Sequence, residues 1–138
     1  MFRFVKYLAL LGLFSFPAYN TTAPLSLQKG VVVTVWSAET PTPGNGTTAA
    51  SQQIALSGPF AVDLQFAGAP GAFEVDVQVA AVDSDTNYQT VANGNITTVD
   101  STNNTAHFDG SLVVGRFARL LMRSRGNAVS VTATVTGG

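Results

Sequence analysis

From Phe73 to Ala81 the chain reads FEVDVQVAA, in which Phe73, Val75, Val77, Val79 and Ala81 alternate with Glu74, Asp76, Gln78 and Ala80. Successive side chains of an extended chain point to opposite faces, so a period of two buries one side only as a β-strand. The acids then point outward. The same alternation recurs at Phe60, Val62, Leu64 and Phe66 against Ala61, Asp63 and Gln65. It recurs again at Val129, Val131, Ala133 and Val135 against Ser130, Thr132, Thr134 and Thr136. No helical periodicity of useful length follows residue 30, which excludes helical bundles and βαβ folds.

Further strands are expected at 31–37 (VVVTVWS), at 105–114 (TAHFDGSLVV) and at 116–124 (RFARLLMRS). Two short strands, Tyr88–Val91 and Ile96–Val99, flank Asn93-Gly94, a pair that favours a two-residue hairpin turn. Residues 38–49 hold two prolines and two glycines, and AGAPGA, Ser101–Asn104 and Gly126-Asn127 are turn-rich, so these read as connections. Seven to eight strands at roughly ten-residue spacing predict an all-β chain. The expected architecture is a single antiparallel β-sandwich or jelly-roll-like domain over residues 31–138, with an apolar N-terminal arm over residues 1–30. At 138 residues the chain has room for one core that needs no staples. The absence of cysteine excludes disulfides, thiolate metal sites and cysteine nucleophiles together.

The arm begins MFRFVKYLALLGLFSFPAY, a basic start followed by an apolar run from Tyr7 to Tyr19. As a helix those 13 residues would reach about 20 Å, short of the ~30 Å hydrocarbon core, so no membrane span is expected. The run resembles a signal peptide, but cleavage after Ala18 places bulky Phe16 where a small residue is wanted, and cleavage after Ala23 places Pro24 next to the cut. The segment is therefore read as a docking arm, with a cleaved signal peptide as the alternative. Phe2, Phe4, Leu8, Leu11 and Phe14 would need a partner to cover them.

Charge is sorted along the chain into three blocks. Residues 1–29 carry Arg3, Lys6 and Lys29 without an acid; residues 30–115 carry eight acids without a base; the remainder carries Arg116, Arg119, Arg123 and Arg125 without an acid. This arrangement nominates the four arginines, together with the arm, as partner-binding residues facing an acidic surface on a neighbour. Specific nucleic-acid binding is not expected, because the pI near 5.6 is far from the value above about 9 typical of a binder.

Catalysis and metal chemistry have few parts to draw on. His107 is the only imidazole, and although Asp109 would share its strand face, no nucleophile motif accompanies the pair. No catalytic residue and no cofactor are assigned. Asp83, Asp85 and Asn87 offer alternating oxygen ligands, but Tyr88 and Gly94 stand where a calcium loop of the EF-hand type needs Gly and Glu. They read as an Asx-rich turn and only secondarily as a metal site. Sequons occur at Asn20, Asn45, Asn95 and Asn103, an excess that threonine-rich strands and asparagine-rich turns generate by themselves.

Asp85, Tyr88, Thr90 and Val91, followed by Arg116, Phe117, Arg119, Leu120 and the threonine-rich strand over 128–138, supply one further sign. This half of the chain resembles small β-sandwich structural proteins of tailed-phage virions. The resemblance implies a non-enzymatic virion protein, of head decoration or cement type or associated with the neck or tail. Its partners would be major capsid or neck and tail subunits, together with further copies of itself. The alternative is a secreted or surface-exposed carbohydrate-binding or adhesion module.

Overall fold

The computed structural model describes residues 24–45 and 47–138, so the arm residues Phe2, Phe4, Leu8, Leu11 and Phe14 lie outside the described residues. Among the described residues nine strands form: β1 Leu25–Leu27, β2 Val32–Glu39, β3 Ile54–Leu56, β4 Phe60–Phe66, β5 Phe73–Ala80, β6 Gln89–Ile96, β7 Thr105–Gly110, β8 Phe117–Arg125 and β9 Val131–Gly137. They make a five-stranded sheet in the order β1-β3-β8-β5-β6 and a four-stranded sheet in the order β2-β9-β4-β7. The chain is all-β, as its periodicity predicts. Among the described strands only β1 and β3 pair in parallel, accompanied by an isolated parallel bridge between Lys29 and Gly137.

The pairings nest in a regular way. β2 pairs with β9, β3 with β8, β4 with β7 and β5 with β6, all antiparallel. This is one long antiparallel hairpin rolled up so that alternate rungs fall in opposite sheets. The further pairings β4·β9 and β5·β8 close each sheet. Such rolling is what defines a jelly roll, and it brings the apolar faces of the two sheets together. Val62, Leu64, Val75, Val77, Leu120, Met122, Val131, Ala133 and Val135 are buried there. Each Val, Leu or Met so placed is worth about 1.5 to 3 kcal/mol relative to exposure. Phe66 and Phe73 stack tilted with centroids 4.8 Å apart, which ties the two ends of the 67–72 connection to the core.

Several strand boundaries differ from expectation. Three-residue β1 and β3 are too short to show a period, and β1 draws residues 25–27 from the arm into the five-stranded sheet. Asn93-Gly94 makes no hairpin. β6 runs continuously past it, and residues 91–94 bulge between the Asp76↔Asn95 and Gln78↔Thr90 pairs. Asn93 adopts φ 59°, and a Cβ on Gly94 would stand 2.9 Å from the Val77 carbonyl oxygen. The pair therefore serves a bulge, where glycine is required by the close approach of a neighbouring backbone. The expected strand over 105–114 stops at Gly110, because its partner β4 begins at Phe60 opposite that glycine. Beyond it there is no ladder to join, and residues 111–116 form a loop.

Register also assigns the connections to the two ends of the sandwich. Phe60 is level with Gly110 and Gly137, and Ala80 is level with Phe117. The connections 57–59, 81–88 and 111–116 thus share one end with the start of β2. Connections 40–53, 67–72, 97–104 and 126–130 share the other.

Candidate functional site

Among the described residues, the large hydrophobic side chains left exposed are Val31, Val32, Val82, Leu112 and Val114, and all five sit at the first of these ends. Leu112 and Val114, at 94% and 93% exposure, project from the loop between β7 and β8. Grooves of about 520 and 530 Å3 flank this loop. Val91, Asn93 and Phe108 form the wall of one, and Leu56, Gly58 and Pro59 the wall of the other. Two neighbouring aliphatic side chains are thus left almost wholly in water on one loop, unlike the rest of the described sandwich. The sequence reading missed this loop by continuing a strand through it. The signal was present in Gly110 and Gly115, which bracket Ser-Leu-Val-Val.

The same end is stiffened by a polar network. Arg119 lies on the outer face of the five-stranded sheet yet is only 5% exposed. Its Nε donates to Gln78 Oε1 at 2.9 Å and its Nη1 to Asp85 Oδ1 at 2.7 Å. The guanidinium carbon stands 4.2 Å from the Tyr88 ring centroid, a cation–π contact. Tyr88 in turn donates its hydroxyl to Asp83 Oδ1 at 2.8 Å. Burial, reinforced by the Asp83 hydrogen bond and charge, pushes the Tyr88 phenol far up from its ordinary value, so it stays a donor. Loop 81–88 is thereby held in place, and Val82 is presented at its start.

These contacts show where two groups of expected site residues lie. Asp83 and Asp85 serve as acceptors for Tyr88 and Arg119, and Asn87 closes a single 3-10 turn through its backbone N–H to the Ser84 carbonyl. Among the described residues no group of three or more His, Cys, Asp or Glu side chains converges as metal ligands would. The turn is an ion-paired structural element. The arginine group, expected to face a neighbour, is divided among the chain's own partners. Arg119 is buried as described, and Arg123 donates from Nε to Asp76 Oδ2 at 2.5 Å and from Nη1 to Asn45. Register slips by one residue opposite Glu74 and Val75, so Arg125 pairs with core-facing Phe73, and its Nη1 is buried without a hydrogen-bond partner among the described residues. Arg116 alone of the four is exposed, at the apolar end.

Asp76 is the most enclosed acid, at 3% exposure. It faces away from the core, as the alternation predicts, but is covered. Burial alone would push its carboxyl up. Hydrogen bonds from Arg123, Asn95 and Thr90, together with the Arg123 charge, outweigh burial and hold it below the ordinary carboxylate range. Asn95 Nδ2 donates to both Asp76 and Glu74, at 2.8 and 2.7 Å. Asn45 accepts from Arg123, and Asn103 donates to Asp100. Three of the four sequon asparagines are thus engaged in side-chain bonds that a glycan on the same nitrogen or its neighbour would disrupt. Backbone N–H donation from Thr102 and the Asn103 amide lower the Asp100 carboxyl in turn.

The outer face of the four-stranded sheet carries a second feature. Asp63 on β4 sits opposite His107 on β7, and His107 Nδ1 lies 2.7 Å from Asp63 Oδ1. His107 therefore pairs across the ladder; Asp109 instead accepts the Ser111 N–H at 2.9 Å. An open hollow of about 510 Å3 around the pair is lined also by Gln65, Thr98, Asp100, Thr132 and Thr134. Both partners of this contact are more than half exposed. Such pairs contribute little, and His107→Gln is expected to change unfolding stability by no more than about 0.5 kcal/mol in a urea titration. A loss well above that would give the pair a structural role that its exposure does not suggest.

Comparison with protein-family models, with curated proteins and with solved structures finds no match for this chain.

Proposed function

We propose that this chain is a non-enzymatic structural protein of a phage virion, a head decoration or cement subunit that docks on neighbouring subunits through its apolar end. The observation that carries this reading is the exposure of Leu112 and Val114 on one loop of an otherwise well-buried sandwich. Removing the two from water against a partner is worth about 1.5 to 3 kcal/mol each. The nested jelly-roll order supports it by fold-level analogy, because viral capsid domains use that architecture. The resemblance of residues 72–138 to tailed-phage sandwich proteins points the same way. The polar network that fixes loop 81–88 supplies a rigid support for the docking end.

Jelly rolls also build lectins, and the threonine-lined hollow around Asp63 and His107 favours the second reading, a secreted adhesion or carbohydrate-binding module. No Phe, Tyr or Trp lines that hollow, so a sugar ring lacks the broad apolar platform such side chains give. Fractionation of native material separates the two readings. The proposal expects the chain to co-sediment with particles and its intact mass to include residues 1–23. A free chain that lacks those residues, binds immobilised glycan and is absent from particles would overturn it.

A further inference from the structure

Each sheet ends in two strands whose outer edges no described strand covers: β1 and β6 in one sheet, β2 and β7 in the other. An uncovered edge is a template for another chain, and proteins blunt such edges by shortness or by bulges. Three of the four are blunted in this way. β1 has three residues, β2 slips register twice against β9, and β6 bulges between its pairs with Asp76 and Gln78. β7 alone keeps unbroken register over six residues, from Thr105 to Gly110 against β4.

The backbone groups that β7 turns outward follow from its ladder, because successive residues of a strand bond to opposite sides. Phe66 N–H donates to the Asn104 carbonyl, so Asn104 faces β4 and Thr105 faces away, and the Thr105 carbonyl accepts from Asp100 outside that ladder. By the same alternation His107 and Asp109 turn their N–H and C=O away from β4, and no described backbone group bonds them there. His107 then stands opposite Asp63 in a non-hydrogen-bonded pair, where side chains come closest, in accord with their 2.7 Å contact. The outer edge is therefore open at two adjacent bonding positions, and their side chains are of opposite kind. His107 engages Nδ1 with Asp63 and keeps Nε2, while Asp109 accepts the Ser111 N–H at Oδ1 and keeps Oδ2.

We propose that β7 is a self-association edge, at which two copies of this chain pair antiparallel about Phe108 and join their four-stranded sheets into one. This register sets His107 opposite the partner's Asp109 twice, and the outward groups of both residues in both copies make four backbone hydrogen bonds. Each imidazolium then lies between its own Asp63 and the partner's Asp109. On the inner face Phe108, which walls the groove of about 520 Å3 beside this edge, opposes the partner's Phe108 in a non-hydrogen-bonded pair, the closer kind of cross-strand contact. Centring the pairing on His107 or on Asp109 instead sets identical polar groups opposite each other. The contact uses the same surface on both copies and closes as a two-fold dimer. It engages the side of the sandwich, so it is separate from docking through the apolar end and does not rest on the virion reading.

Sedimentation equilibrium of the full-length chain is expected to show monomer and dimer exchanging. His107→Asp and Asp109→His each set like groups opposite each other, and the two-fold makes each change act twice, so either variant alone is expected to dimerise at least roughly tenfold more weakly. A mixture of the two restores unlike partners and is expected to recover the dimer as a heterodimer. The absence of cysteine allows a check of register that keeps both residues in place. Thr105 falls opposite the partner's Ser111, so a short bis-maleimide is expected to join Thr105→Cys to Ser111→Cys in a mixture, and neither variant to itself. A native chain that stays monomeric at high concentration overturns the proposal, as does a dimer that tolerates both charge variants and yields no mixed cross-link. A dimer abolished by Leu112→Asp with Val114→Asp but indifferent to His107→Asp would place the contact at the apolar end, which overturns this edge and supports the docking reading.

Discussion

Arg123→Leu is expected to destabilise the fold by about 3 kcal/mol at pH 7, the lower end of the roughly 3 to 5 kcal/mol seen when one partner of a buried ion pair is removed. The lower end applies because the Arg123 side chain is one third exposed, while Asp76 is almost wholly buried. The substitution keeps an apolar stem and leaves the Asp76 carboxylate enclosed without its counter-charge. The cost depends on pH in a defined sense. In the native chain the depressed Asp76 carboxyl contributes stability above its ordinary value of 3.8, and that contribution is lost as pH falls through its lower folded value. Without Arg123, burial is opposed only by the Asn95 and Thr90 hydrogen bonds and the folded value rises, so the deficit grows as pH rises through the carboxylate range and then levels off. The gap between variant and native narrows as pH falls below 3.8 and is smallest below the lowered folded value, where folded and unfolded native chains alike hold the proton. Urea titrations at pH 7 and pH 3 measure the two gaps. Equal gaps would show that Arg123 stabilises by packing and not by compensating Asp76. Against a total stability of about 5 to 15 kcal/mol, the pH 7 loss is large.

Leu121→Ala is expected to cost about 2 to 5 kcal/mol, as much as Leu120→Ala, although the two side chains point to opposite faces of β8. Leu120 belongs to the core between the sheets. Leu121 lies opposite Asp76 on the outer face, where a simple two-layer sandwich would leave it half in water, yet it is 2% exposed. Ala49 is likewise buried outside the main core cluster. The chain between β2 and β3 closes on β8 here: Gly44 donates to the Met122 carbonyl, Ala50 bridges Leu121, and Ser51 exchanges two hydrogen bonds with Leu120. This gives the five-stranded sheet a second, smaller buried layer. A loss below about 1 kcal/mol for Leu121→Ala, with Leu120→Ala at full cost, would show that this layer contributes little.

The two substitutions also mark where the sequence stops being legible. Alternation alone determined the inward faces of β4, β5 and β9, because the pleat reverses each side chain and the apolar residues have one place to go. It determined the all-β class and the approximate spacing of turns for the same reason. What it could not determine is which strand lies beside which, since hydrogen-bonding edges carry no side-chain signature. The nested pairing is a property of the closed sandwich. The blocks of charge illustrate the point. Asp76 meets Arg123 and Asp85 meets Arg119 across 47 and 34 residues, so two of the four arginines that look like a surface waiting for a neighbour are satisfied by acids of their own chain. Asn93-Gly94 has hairpin chemistry in isolation, but β5 offers partners on both sides of it, and continuing the ladder through a bulge satisfies more backbone than turning away. Leu112 and Val114 continue a β-like pattern along the sequence, and only the end of β4 at Phe60 decides that they find no strand to join and stand in solvent. Local pattern selected the faces; the partners at each edge, and with them the exposed apolar end, were decided by tertiary closure.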